Sequence, residues 1–61
     1  MPIVQVEIAE GRTIAQKREL VSKMTEAFTS SLRVSPENVQ IIIREFKPEN
    51  YAKSRKLKID K

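Results

Sequence analysis

Apolar and polar side chains alternate at the beginning of the chain. Val4, Val6 and Ile8 lie on one side of an extended backbone, and the residues between them lie on the other. A period of two with β-branched residues predicts a β-strand over residues 3–9 with one strongly apolar face. Gly11, the only glycine in the sequence, follows at the turn, where we expect a positive φ angle.

Over residues 14–32 the apolar positions recur at helical spacing instead, which predicts an amphipathic α-helix. Thr13 precedes this segment and Gln16 follows three residues later, the spacing of a capping box at a helix N-terminus. The apolar stripe contains Ile14, Leu20, Val21, Met24, Ala27, Phe28 and Leu32, with Lys17 and Ser31 as polar interruptions.

Residues 39–46 are rich in isoleucine and predict a second strand, covered on at least one face. Ser35 followed by Pro36 predicts a turn or a single helical turn before this strand, and Pro48 ends it. Residues 51–61 form a basic segment with few apolar side chains, and the pattern leaves their structure open.

The order strand, helix, strand predicts an α+β fold for one domain over residues 1–61, with a parallel strand pair joined by the long helix. One helix covers only one face of such a pair, and two strands alone are not stable. A chain of 61 residues also buries too little surface to compensate. We therefore expect the other face to be completed by oligomerisation.

The sequence contains neither cysteine nor histidine. Disulfides and thiolate metal sites are thereby excluded, and the imidazole base usual near neutral pH is missing. No apolar run approaches the ~20 residues of a membrane helix, and no secretion signal is evident. We expect a cytoplasmic protein without a metal site or a membrane partner.

The net charge of +4 comes entirely from residues 47–61, which hold six basic and two acidic side chains. Such a segment suits small anionic substrates or, alternatively, nucleic acid. Phe28, Phe46 and Tyr51 are the only aromatic residues, too few for a platform on which bases stack. A nucleic-acid-binding module is therefore the weaker hypothesis, and we expect no nucleic-acid partner.

Pro2 is the remaining candidate for a base near neutral pH. Removal of Met1 is expected before so small a residue, and it would leave a secondary amine at the start of a strand. An α-amino group has a pKa of about 7.7–8.0, which desolvation and nearby cations lower towards the range of a general base. Taken alone, proline at this position is also compatible with a merely protected terminus.

Taken together, these segments resemble the 4-oxalocrotonate tautomerase family over roughly residues 2–51. The matching features are Pro2 at the start of a strand, Glu10-Gly11-Arg12-Thr13, Gln16-Lys17, Leu20, Thr25-Glu26-Ala27, the turn at Pro36 and the strand Val39-Gln40-Ile41-Ile42-Ile43-Arg44-Glu45. Each feature is weak by itself, and the combination is specific.

The resemblance implies a cofactor-free enol–keto tautomerisation of a small unsaturated 2-hydroxy (di)carboxylate, with Pro2 as general base. It also implies that Arg12 binds a substrate carboxylate and that Tyr51 forms part of an apolar pocket wall. Members of the family usually assemble as hexamers that draw active-site residues from neighbouring subunits. A homo-oligomer, with six chains favoured, is the assembly implied for this chain.

Two departures from the family pattern bear on substrate binding. Gln40 stands where well-known members carry a second arginine, and glutamine donates a hydrogen bond without a charge. Arg44 lies on the same strand face four residues further on. Residues 51–57 contain no glycine, although many relatives have a Gly-Gly hairpin there. A non-catalytic assembly protein with the same fold stays open as an alternative, which retention of Met1 would favour.

Overall fold

The chain folds as strand, helix and strand, followed by a short hairpin, and the computed structural model describes residues 2–60. The elements are β1 (Ile3–Ala9), α1 (Ile14–Leu32), a 3-10 turn (Pro36–Asn38), β2 (Gln40–Phe46), a second 3-10 turn (Pro48–Asn50), β3 (Ala52–Lys53) and β4 (Lys56–Leu57). No helix of these residues is long and apolar enough to cross a membrane. Lys61, the last residue of the predicted basic segment, lies outside the described part.

β1 and β2 form the predicted parallel pair, in register from Ile3 opposite Gln40 to Ala9 opposite Phe46. Backbone hydrogen bonds continue the pairing at both ends. The N–H of Gln40 donates to the carbonyl of Pro2 at 3.0 Å, and the N–H of Glu10 donates to the carbonyl of Phe46 at 3.0 Å. Both strands therefore begin at the same end of the pair, here called the Pro2 edge. Both finish at the opposite end, here called the Arg12 edge.

The helix begins and ends through local interactions that the sequence encodes. The Gln16 N–H donates to Thr13 Oγ1 at 3.1 Å, while the Thr13 N–H donates to Gln16 Oε1 at 2.9 Å. This is the predicted capping box, and it satisfies two N–H groups that would otherwise lack partners. Gly11 has a φ of 115°, as the turn into the helix requires. At the other end Arg33 adopts a left-handed conformation and its N–H donates to the carbonyl of Thr29.

The helix covers one face of the strand pair only. Val4, Val6 and Ile8 are half-buried, as the period predicts, and Lys17 of the helix pairs with Glu45 of β2 at 2.9 Å across the same face. On the opposite face Ile3 is 56% exposed and Ile42 43% exposed. No side chain among residues 2–60 is fully buried in the single chain. Covering this open face would stabilise the protein by about 25 cal/mol per Å² of apolar surface buried, and the helix of the same chain does not supply that cover.

One predicted boundary is corrected, and part of the segment whose structure the sequence left open is now defined. β2 begins at Gln40, one residue later than predicted, because the Val39 N–H donates to the carbonyl of Pro36 and closes the 3-10 turn. Part of the basic segment is structured, since β3 and β4 pair antiparallel through a two-residue turn. Ser54 and Arg55 hold that turn with φ angles of 53° and 72°. These are the left-handed angles of a tight hairpin, here adopted without glycine.

Candidate active site

Two of the predicted site residues lie together at the edge where both strands begin. Pro2 directly precedes β1, and its carbonyl accepts the hydrogen bond from the Gln40 backbone. Pro2 is half-buried, whereas the Gln40 side chain lies on the open face of the pair with Ile42. An amine at the start of β1 would therefore stand next to the glutamine that replaces the family's second arginine.

The other two predicted residues lie together at the opposite edge. Arg12 follows the end of β1, and Tyr51 follows the turn after β2. The Tyr51 ring stacks on that of Phe46, with ring centroids 5.3 Å apart and planes inclined by 26°. These side chains line a cleft of about 690 Å³ whose walls are Glu7, Ile8, Ala9, Arg12, Phe46, Asn50, Tyr51 and Lys58.

The two edges are too far apart to act on one small molecule within a single chain. β1 has seven residues, and a strand rises about 3.3 Å per residue, so Pro2 lies roughly 23 Å from Ala9, where the turn that leads to Arg12 begins. The distance exceeds the length of a six-carbon dicarboxylate. A site that contains both Pro2 and Arg12 must therefore combine edges from two chains.

Among the described residues that line the cleft, one charged side chain forms an ion pair and the others do not. Glu7 Oε2 accepts from Arg44 Nη1 at 3.0 Å, and the two residues are direct partners in the strand register. The Arg44 guanidinium thus pairs with Glu7, whereas Gln40 lies opposite Ile3 at the other end of the strand pair. Within residues 2–60, neither Arg12 nor Lys58 lies within ion-pair distance of a carboxylate.

Away from these edges, the Ser35 hydroxyl donates a hydrogen bond to the Glu37 carboxylate and thereby lowers the pKa of Glu37. This exposed pair stabilises the turn before β2 and lies outside the cleft. Residues 2–60 hold no group of three acidic, histidine or cysteine side chains placed to bind a metal ion.

Lys58 lines the cleft as well, although the sequence predicts it only as part of a basic segment. The hairpin that positions this lysine is not evident from the sequence pattern. The Lys58 N–H donates to the Tyr51 carbonyl at 2.8 Å, so the hairpin holds the two residues side by side. The sequence offered little evidence for the hairpin, because the two short strands flank residues 54 and 55 and no glycine marks the turn between them.

Comparison with known proteins agrees with this architecture. A family model described as a tautomerase enzyme matches residues 2–57. The 2-hydroxymuconate tautomerase of Bacillus subtilis is 44% identical over 52 residues, which cover 85% of this chain and 84% of that protein. A crystal structure of a homologue of 4-oxalocrotonate tautomerase superposes with a TM-score of 0.94 at 40% identity, covering 98% of each chain.

A heterohexameric 4-oxalocrotonate tautomerase from Chloroflexus aurantiacus superposes with a TM-score of 0.91 at 25% identity, over 98% of this chain and 97% of that one. The match to the family model spans nearly all of the chain, and the parallel strand pair with its single helix is the fold of these solved structures. The chain therefore belongs to the tautomerase family and is an enzyme of the tautomerase type, an isomerase.

Proposed function

We infer that this enzyme interconverts the enol and keto forms of a small unsaturated 2-hydroxy (di)carboxylate without a cofactor. The observation that carries the inference is the cleft beside Tyr51, where the Arg12 guanidinium lies against apolar walls and no carboxylate of residues 2–60 is within ion-pair distance of it. A guanidinium stays protonated and binds carboxylates through paired hydrogen bonds. The proposal is supported by the similarity to a 2-hydroxymuconate tautomerase, whose name places its substrate in this class.

In the proposed mechanism Pro2 is the general base once Met1 has been removed. Its nitrogen takes the proton of the substrate's 2-hydroxyl, and the C2–O bond becomes a carbonyl as the double bonds shift. The resulting ammonium returns that proton to C3 or C5, which completes a 1,3 or 1,5 shift. The proton that Pro2 removes from the substrate is returned to the same substrate molecule, so no co-reactant is needed.

The surroundings proposed for the amine favour its neutral form. An α-amino group has an ordinary pKa of about 7.7–8.0. A neighbouring guanidinium disfavours a second positive charge, and an apolar wall such as Tyr51 disfavours any charge. Both effects lower the pKa of the Pro2 amine, so that it is unprotonated and able to accept a proton near neutral pH.

The site requires an assembly, for which we propose a homo-oligomer with six chains favoured. The apolar face that carries Ile3 and Ile42 lacks cover in the single chain. Contact through this face would bury it and bring the Pro2 edge of one subunit towards the Arg12 edge of another. In this arrangement Gln40 donates a hydrogen bond to a substrate carbonyl or carboxylate, and Tyr51 closes the apolar wall.

The test compares protein from which Met1 has been removed with protein that retains it, in one enol-to-keto assay. Intact mass identifies the two forms, and light scattering shows that both assemble alike. We expect turnover by the processed form only, because in the unprocessed chain the Pro2 nitrogen is an amide without a basic lone pair. Equal turnover by both forms would remove Pro2 from the mechanism. Inactivity of both towards this enol would contradict the proposed substrate class.

A further inference from the structure

Among residues 2–60, Lys58 is the second basic side chain of the Arg12 cleft that lies outside ion-pair distance of any carboxylate. It follows β4 directly, and the hydrogen bond from its N–H to the Tyr51 carbonyl fixes its backbone beside the stacked aromatic pair. The side chain therefore begins at the wall of the cleft rather than on a free tail. Its position is set by the hairpin and by the turn that the Asp60 N–H closes on the carbonyl of Leu57.

The other lysines of the hairpin are placed differently. Lys53 and Lys56 are direct partners across β3 and β4, and neither lines the cleft. Like charges opposite one another in a hairpin repel and do not stabilise it. Lys58 lies beyond this pair, on the Tyr51 side, where its charge adds to that of Arg12.

The cleft as a whole presents two positive charges against an apolar wall. The one carboxylate among its lining residues, Glu7, is already paired with Arg44. A guanidinium has a rigid planar geometry, whereas a lysine ammonium is a mobile point charge on a long stem. Such a pair suits an elongated dianion, with one carboxylate held firmly and the other reached by the flexible cation.

We propose that Lys58 is a specificity residue that binds the second carboxylate of a dicarboxylate substrate and supplies the positive charge that Gln40 lacks. The proposal rests on the proposed function for the identity of the substrate class. The second positive charge that binds the substrate then comes from Lys58, directly after the carboxyl-terminal hairpin, and not from a residue of β2. The enzyme should accordingly prefer dicarboxylates over monocarboxylates of equal length, although β2 has no arginine at position 40.

The test measures binding without turnover, by calorimetry on the assembled protein with adipate and with hexanoate, a six-carbon diacid and its monoacid counterpart. In Lys58→Gln we expect adipate affinity to fall about fivefold, the size of one partly exposed charge pair. Hexanoate affinity should change less than about twofold, and Lys58→Arg should retain most of the adipate affinity. Lys56→Gln is the matched control and should bind like the wild type.

Equal adipate affinity in Lys58→Gln and Lys56→Gln would overturn the proposal, as would a wild type that does not prefer adipate. Lys58→Met keeps the aliphatic stem and repeats the test if Lys58→Gln does not assemble. If neither variant assembles, Lys58 is a structural residue and the proposal is wrong. Lys58-dependent adipate binding by a protein that turns over no enol would instead contradict only the proposed function, so the two failures are distinguishable.

Discussion

The backbone N–H of Gln40 lies 3.0 Å from the carbonyl oxygen of Pro2 and donates a hydrogen bond to it. This is the first backbone hydrogen bond between the two strands. It involves the residue before Ile3, which is the register partner of Gln40. Pro2 is thus held by a strand that follows it in sequence by nearly forty residues. The position of the proposed base consequently depends on the pairing of β1 with β2, and not on β1 alone.

If the Pro2 amine is the base, kcat/KM should rise with pH through one ionisation below the ordinary α-amino range. The sign follows because the protonated amine has no lone pair with which to accept the substrate's proton. A pH profile of kcat/KM for the processed enzyme checks this. Pro2→Ala leaves a primary amine and should retain a reduced rate. A rate independent of pH would contradict the assignment.

Arg12→Ala should mainly raise KM for a dicarboxylate such as 2-hydroxymuconate, by roughly tenfold, because a charge-assisted hydrogen bond is lost. A monocarboxylate enol such as that of an arylpyruvate should be affected less. Arg18→Ala is the matched control, since Arg18 is exposed on the helix and does not line the cleft. Equal losses for both substrates, or none, would count against carboxylate binding by Arg12.

Gln40→Arg should increase kcat/KM for 2-hydroxymuconate, since a guanidinium stabilises a developing enolate more strongly than an amide does. The gain should be larger in a Lys58→Gln background, where the second cation of the cleft is missing. Steady-state kinetics of the four combinations measure this coupling. No gain in either background would show that Gln40 does not contact the substrate.

Ile42→Asp should disrupt the assembly, because it places a charge on the apolar face that a partner must cover. Light scattering and circular dichroism should show a smaller and largely unfolded species. The control Lys23→Asp, on a side chain that is 74% exposed, should assemble normally. A wild-type chain that is a folded monomer at micromolar concentration would refute the requirement for a partner.

Arg55→Gly should stabilise the protein by about 1 kcal/mol, because Arg55 holds a left-handed φ of 72° that costs a residue with a Cβ roughly that amount. Arg18→Gly makes the same substitution inside the regular helix and should destabilise by about 1 kcal/mol. Thermal unfolding measures the change in stability of each variant, and the two changes should have opposite signs. A loss of stability in Arg55→Gly would show that the Arg55 side chain makes a stabilising contact.

Local patterns were sufficient for the elements of the main fold. The helix over residues 14–32 followed from its apolar period and from the capping box of Thr13 and Gln16, both of which act within a few residues. The strands followed from alternation and β-branched residues, and the parallel pairing followed from the length of the helix between them. The small size of the chain likewise indicated that one copy buries too little surface by itself, and no side chain among residues 2–60 is fully buried.

The tertiary structure alone decided how the candidate site is divided. The pairing of β1 with β2 placed Pro2 with Gln40 at one edge and Arg12 with Tyr51 at the other, and it committed Arg44 to Glu7. The hairpin at Ser54 and Arg55 was hidden from sequence reasoning because its turn uses left-handed angles without glycine. That hairpin carries Lys58 to the cleft. Such placements depend on contacts between residues distant in sequence, which local propensity and periodicity do not encode.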